Sequence, residues 1–257
     1  SPVLDSFRQG VEEKGYDITF LGRHVGKSEL SYSEHSKYRG VDGVIVACVD
    51  FEAEEVKELL QSGIPVVTID YIFNDKACVM SDNIRGMEQL VSYIIQCGHK
   101  KIAYIHGADS FVTRSRIGSF LRTMKRYGIE TEDRYIREGI YHAPDVSAKI
   151  THELLSLEDR PTCIVYPDDF SCIGGINVIR SKGLSIPNDI SVAGYDGQRI
   201  AHVIEPKITT YRQNTEQIGK VAAAKLVELI EQPELALVER LDVQGELIRG
   251  CSVLSMK

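Results

Sequence analysis

The chain alternates short, almost uninterrupted apolar runs with longer segments in which apolar residues recur every three or four positions. The short runs fall at 17–22 (DITFLG), 42–47 (DGVIVA), 65–69 (PVVTI), 77–80, 101–106 (KIAYIH), 162–166 (TCIVY) and 190–194 (ISVAG). They are rich in β-branched residues and nearly continuous in apolarity, the pattern of parallel strands covered on both faces. The intervening segments predict helices over about 3–14, 52–62, 83–97, 112–128, 146–156, 169–182 and 214–231. Segment 83–97 shows the logic. Asp82 precedes it and is placed to cap the exposed amides of the first turn. Met87, Leu90, Val91, Ile94 and Ile95 fall on one face, and Gly98 follows as a stop. A βαβα rhythm of this kind implies parallel sheets with helices on both faces, an α/β protein. The last two short runs, 236–242 and 246–249, have no helix between them and predict a small antiparallel ending. Periodicity alone fits one open sheet, or two smaller sheets with the chain crossing between them.

Composition narrows the function classes. Apolar residues make up 43% of the 257 positions and charged residues 26%, ordinary values for a globular chain. The formal net charge is −7, and no dense Lys/Arg run appears, so this segment alone is poorly suited to gripping phosphate backbones. Cys48, Cys78, Cys97, Cys163, Cys172 and Cys251 form no CxxC pair and read as buried thiols in a reducing, cytoplasmic compartment. No 18-residue apolar run is present, and no basic-then-apolar leader opens the chain.

Enzyme signatures are missing from the text of the chain. Gly22-Arg23-His24-Val25-Gly26-Lys27-Ser28 resembles a phosphate-binding loop but is one residue short of the spacing that wraps amides around a phosphate, and reads as a solvated turn. GxGxxG, GxSxG and HExxH do not occur, and the seven histidines show no metal-ligand spacing. No cofactor is implied. His106, at the end of run 101–106, reads as a strand-end histidine within reach of a cleft.

Ligands of open α/β folds sit beyond the carboxyl ends of strands. Asp168 and Asp169 follow run 162–166, Asp196 follows run 190–194, Arg114 and Arg116 follow run 101–106, and Tyr141 follows a short run at 135–140. Carboxylates accept several hydrogen bonds and a guanidinium donates from a planar fork, so the set suits a ligand dense in hydroxyls or ring nitrogens, with Tyr141 offering an apolar ring face. Bland roles compete: Asp169 as a cap of the following helix, and Arg114 as a solvated side chain.

Several segments together resemble the lactose/galactose repressor family of bacterial transcription regulators: IPVVTID (64–69 and Asp70), VMSDNIRG (79–86), CGHKKIAYIHG (97–107), RIGSF (116–120), DDFSCIG (168–174), GLSIPNDISVAGYDG (183–197) and PKITTYRQ (206–213). The resemblance covers nearly the whole chain in order, and IPNDISVAGYDG followed by PKITT is its most specific part. It implies a periplasmic-binding-protein-like fold of two Rossmann-like lobes joined by three crossovers, with a first lobe of about 1–107 plus 212–234 and a second of about 108–211 plus 235–257. It further implies a small effector, a sugar or sugar derivative, bound in a cleft whose closure alters operator DNA affinity through a headpiece that is not in this chain. A homodimer is also implied, for which the apolar face of helix 52–62 is either a seam or simple core packing.

Carried over position by position, the resemblance makes Arg116, Asp168, Asp196, Tyr141 and Gln213 ligand-binding residues. The chain departs from the family at Asp168, where asparagine is usual, at Ser119 for glycine, at Cys172 for alanine, and at Thr215, where some sugar-binding members carry an aromatic. The strand that ordinarily precedes the first helix of the family, with its ligand-holding loop, is not among these residues. An extracytoplasmic solute-binding protein shares the expected fold, and an upstream signal peptide would favour it. An enzyme is the third class, without a nucleophile–base pair to support it.

Overall fold

The computed structural model describes residues 2–22, 24–25, 28–73 and 75–256. Arg23, Gly26 and Lys27 of the phosphate-loop-like segment lie outside the described residues. The chain forms two compact units, Ser1–Ser81 with Asn214–Val243, and Asp82–Gln213 with Gln244–Lys257.

Unit 1 begins with α1 (Pro2–Glu12), the short antiparallel pair β1 (His24–Val25) and β2 (Ser28–Glu29), α2 (Tyr32–Arg39), β3 (Val44–Val46), α3 (Glu54–Leu60), β4 (Val66–Ile69) and β5 (Ala77–Ser81). Unit 2 follows with α4 (Asn83–Gln96), β6 (Ile102–His106), α5 (Phe111–Arg126), β7 (Ile136–Glu138), α6 (Pro144–Leu155), β8 (Cys163–Val165), α7 (Asp169–Ser181), β9 (Ser191–Asp196), α8 (Arg199–Val203) and β10 (Thr209–Arg212). The chain returns to unit 1 for α9 (Thr215–Glu231) and β11 (Arg240–Val243), and ends in unit 2 with β12 (Glu246–Ile248).

The main sheet of unit 1 has the order β11-β5-β4-β3, all parallel, with Val44 opposite Val66, Val67 opposite Ala77 and Leu241 opposite Val79. One face packs Val67 and Val79 against Phe7 and Val11 of α1 and Ile218, Ala222 and Leu226 of α9. The other packs Val44, Val46 and Val66 against Val56, Leu59 and Leu60 of α3. The apolar face of α3 is therefore core, not a dimer seam.

The sheet of unit 2 has the order β12-β10-β9-β8-β6-β7, parallel except for β12, which runs antiparallel to β10. Its strands are apolar throughout because both faces are covered. Ile102 and Tyr104 meet Met87, Leu90 and Ile94 of α4 and Phe120 of α5, while Ala103 and Ile105 meet Leu154 of α6 and Ile176 of α7. From β6 the chain moves first outward to β7 and then to the opposite side, to β8. The strand order thus reverses at β6 and β8, and the crevice beyond the carboxyl ends of such a pair is where open α/β sheets hold ligands.

Four expectations are corrected. Residues 17–22 form no strand: Phe20 is exposed, while Ile18 and Leu21 rest on different core clusters. The terminal runs do not pair with each other: β11 lies parallel to β5 in unit 1 and β12 antiparallel to β10 in unit 2. The division of the chain falls at 81/82 rather than near 107, because α4 and β6 are built into the core of unit 2, and β11 belongs with unit 1. Finally, the six cysteines are free thiols, but only Cys78, Cys97, Cys163 and Cys172 are buried, whereas Cys48 and Cys251 are exposed. No helix among the described residues is long and apolar enough to cross a membrane.

Candidate functional site

Backbone strain marks the strand ends before any side chain is considered. Among the described residues, the non-glycine positions with positive φ are Cys48 (55°), Asp70 (60°), His142 (55°) and Asp196 (97°). Each lies at or just beyond the carboxyl end of a parallel strand: β3, β4, β7 and β9 respectively. L-residues in this region cost free energy and persist where surrounding contacts impose them, commonly at functional sites.

In unit 2 the side chains at these ends converge. Arg116, in the second turn of α5, is 3% exposed. Its Nε donates to Asn83 Oδ1 at 2.8 Å and its Nη1 to the Pro167 carbonyl, beyond β8, at 3.3 Å. The guanidinium lies 3.7 Å from the centroid of the Tyr195 ring and 5.8 Å from that of Tyr141. Burial works against its charge, but the neighbouring Tyr195, Tyr141 and Asp196 outweigh it and hold the pKa above the ordinary arginine value. A fixed cation therefore sits at the β6/β8 switch point.

Asp196 closes β9. Its Oδ1 accepts from Gln213 Nε2 at 2.5 Å and its Oδ2 from Gln198 Nε2 at 3.4 Å. Burial pushes its pKa up, opposed by Arg116 and by the Gln213 amide. Tyr141 lies half-buried, its hydroxyl 2.9 Å from Thr113 Oγ1. The ring rests on the backbone of Gly107, where an added Cβ would come within 2.1 Å of Tyr141 Cε2. Gly107→Ala should accordingly cost about 1–3 kcal/mol through overpacking. Urea unfolding of Gly107→Ala in the wild-type and Tyr141→Ala backgrounds checks this. Most of the cost should vanish when the ring is absent, and equal costs would place the ring elsewhere.

The structure brings Arg116, Tyr141, Asp196 and Gln213 together, and treats Asp168 differently. Asp168 caps α7 and is fully buried. Its Oδ1 accepts from Ser171 N at 2.8 Å, and its Oδ2 accepts from His142 N at 2.8 Å and Ser171 Oγ at 2.9 Å. Both oxygens of its carboxyl group therefore already accept hydrogen bonds from the protein. Asp169, also fully buried, is not the cap. Its Oδ2 accepts from Gln198 N at 2.6 Å, and its Oδ1 meets no donor in hydrogen-bonding geometry among the described residues. Burial raises its pKa to about 8 against the pull of Thr210 and Gln198. Arg114 is exposed and paired with Asp109 at 2.7 Å, and His106 Nδ1 stays 2.8 Å from the Gly107 carbonyl.

Asn83, Tyr195, Gln198 and Thr210 join the site without having been singled out in the sequence. The signal for Asn83 is its place at the start of α4 beside the capping Asp82. Tyr195 sits in the GYDG motif, one residue before Asp196. Gln198 and Thr210 act through a turn whose geometry no local pattern announces. No group of three or more His, Cys, Asp or Glu side chains among the described residues is arranged to hold a metal ion.

Comparison with known proteins bears on the fold and the family. Residues 91–253 match the family model described as a periplasmic binding protein-like domain. The HTH-type transcriptional repressor PurR of Haemophilus influenzae (strain PittEE) is 30% identical, over 99% of this chain and 77% of that protein. A regulatory protein of the LacI family from Chloroflexus aggregans superposes with a TM-score of 0.82 at 26% identity, over 98% of this chain and 91% of that one. A LacI family transcriptional regulator from Enterococcus faecium, solved with bound ribose, has the same fold, with a TM-score of 0.81 at 24% identity over 100% of this chain and 96% of that one. The relatives are regulators, not enzymes. The chain belongs to the lactose/galactose repressor (LacI/GalR) family of transcriptional regulators, as the effector-binding domain that senses a small ligand to modulate DNA binding.

Proposed function

We propose that the effector is an uncharged sugar or sugar derivative, held in part by Arg116, Asp196, Gln213 and Tyr141. The observation that carries this reading is the convergence of one fixed guanidinium, one carboxyl and one carboxamide at the β6/β8 switch point, beside an aromatic ring. Sugar hydroxyls donate and accept at once, so they match alternating donors and acceptors, while the ring offers a face for C–H groups. Charge argues against a phosphorylated ligand. Arg116 is the one guanidinium of the set, already donating to Asn83 and Pro167, so a phosphate would find a single cation and no second one to match its charge. The ribose bound by the Enterococcus faecium regulator is a ligand of this kind.

In this reading the domain works in the cytoplasm as part of a homodimer whose headpieces contact operator DNA. Effector shifts the population between conformations of different operator affinity, and the shift is limited by its differential affinity for them, about 1–3 kcal/mol of coupling. A thermal-shift screen over ribose, cellobiose, sugar phosphates and nucleobases tests the ligand class. A neutral sugar should stabilise the domain by about 2.7 kcal/mol at a hundred times its Kd. Stabilisation confined to phosphorylated compounds or nucleobases, or none at all, overturns the proposal. Asp196→Ala should weaken binding of the sugar so found by about 1–3 kcal/mol, through loss of hydrogen bonds to a charged or strongly polar group. Unchanged affinity in titration calorimetry would remove Asp196 from the site.

A further inference from the structure

We infer that Asp168 and Asp169 are positioning residues, each fixing one of the two turns that carry the effector-facing side chains Tyr141 and Asp196. The inference rests on the reading of those two side chains as effector contacts, but its geometry stands apart from any ligand. The two acids are consecutive at the start of α7, both are fully buried, and they reach in different directions. Asp168 Oδ2 takes the backbone N–H of His142, the residue after Tyr141, where φ is 55°. Asp169 Oδ2 takes the backbone N–H of Gln198, two residues after Asp196, closing a turn in which Asp196 (φ 97°) and Gly197 (φ 69°) are successively left-handed. The same turn is tied a second time, by Gly197 N donating to Thr210 Oγ1 at 3.2 Å. Gly194 leaves room for this arrangement: a Cβ there would come within 2.1 Å of Asp169 Oδ1.

The two acids do equal work with unequal chemistry. Asp168 serves three donors on two oxygens, His142 N, Ser171 N and Ser171 Oγ. An asparagine, the usual family residue here, keeps one acceptor oxygen and turns an NH2 group toward a former donor, so in this chain it cannot keep all three of these hydrogen bonds. Asp169 serves the single donor Gln198 N in good geometry, and one amide oxygen suffices for that. Asp169 is surrounded by Asp196 of β9, its neighbour Asp168, the buried Cys172 thiol and the Thr210 hydroxyl, none of them cationic, so burial leaves it mostly in the acid form at neutral pH. Asparagine resembles that form. Neighbouring aspartates are thus expected to answer the same substitution oppositely.

Amide NMR of the ligand-free chain tests this without knowledge of the effector. In the wild type, the Gln198 amide should shift with pH with a midpoint near 8, reporting Asp169. Asp169→Asn should abolish that titration while leaving the Gln198 and His142 amides near their neutral-pH positions. Asp168→Asn should displace the His142 and Ser171 amides. A Gln198 amide that titrates in the ordinary carboxylate range, or a titration that survives Asp169→Asn, overturns the role of Asp169. A His142 amide unmoved by Asp168→Asn overturns that of Asp168. Should Asp168→Asn fail to fold, Ser171→Ala removes only the hydroxyl donor and must leave the His142 amide bonded; exchange of that amide at the rate of a solvent-exposed one would equally refute the assignment. Because no sugar is present, these outcomes are independent of the ligand class proposed above.

Discussion

Arg116→Ala should both destabilise unit 2 and abolish the response to effector. The arginine gives donors to Asn83 and to the Pro167 carbonyl and fills the space over the Tyr195 ring. Truncation withdraws those donors and leaves a cavity, costing about 1–3 kcal/mol for the unmade hydrogen bonds and further packing free energy. Against this stands the relief of no longer burying a cation, which is itself several kcal/mol unfavourable. The guanidinium is stacked and hydrogen-bonded, so the losses win, and a net loss of about 2–4 kcal/mol is expected in urea unfolding. Asp196 would lose the cation that opposes its burial and would be driven further toward its acid form. Arg116→Lys should not restore binding, because an ammonium cannot stack in a plane over Tyr195 while donating in two directions. Arg116→Met separates the two effects. It should recover much of the stability through volume and none of the sugar-induced thermal shift. A methionine variant that binds sugar as the wild type does would remove Arg116 from the effector site.

The parts of the fold that sequence makes legible are those in which one physical cause dominates. Helices α4 and α9 carry apolar stripes of more than three turns, and continuous apolar runs name the central strands β4, β6, β8 and β9. Helix α2 escaped because what it buries is Ser33, His35 and Ser36 rather than an apolar stripe. Its signals are of another kind: a capping box between Ser31 and Glu34, and Gly40 in a left-handed conformation. Strands β11 and β12 read as a hairpin because proximity in sequence is usually proximity in space, whereas here the chain changes unit between Val243 and Gln244. Nothing local encodes that crossing.

The site divides in the same way. Position at a strand end was enough to single out Arg116, Asp196 and Tyr141, because the carboxyl ends of parallel strands follow from the strands themselves. Orientation was not. Asp168 and Asp169 are adjacent and identical in type, and only the three-dimensional arrangement decides that the first caps α7 and holds His142 while the second reaches Gln198. The family resemblance makes Asp168 a ligand residue by position, and no local pattern shows that three donors of the protein already meet its carboxyl group. Left-handed Asp196 and His142 were equally hidden, since neither residue type announces a positive φ as glycine does.

Asp169 also gives the domain a pH dependence of stability that a single substitution should erase. Its folded pKa, raised from 3.8 to about 8, means that the folded state binds a proton the unfolded chain has already released. The associated stability is fully present below the unfolded value and is lost as pH rises toward about 8, after which no further loss comes from this residue. The slope is about 1.4 kcal/mol per pH unit within the window. Buried His99 acts with the opposite sign. Burial lowers its pKa below 6.5, so its contribution is present above that value and lost as pH falls. Above about 6.5 the contribution of His99 is largely complete, whereas Asp169 still titrates up to about 8. Over that interval wild type should lose about 2 kcal/mol relative to Asp169→Asn, in which the proton cannot be released. Urea unfolding of both proteins at the two ends of the interval measures the difference directly, with every other titrating group common to the pair. Parallel stabilities would show that Asp169 is ionised in the folded protein, and the hydrogen bond to Gln198 would then have to be carried by a buried charge.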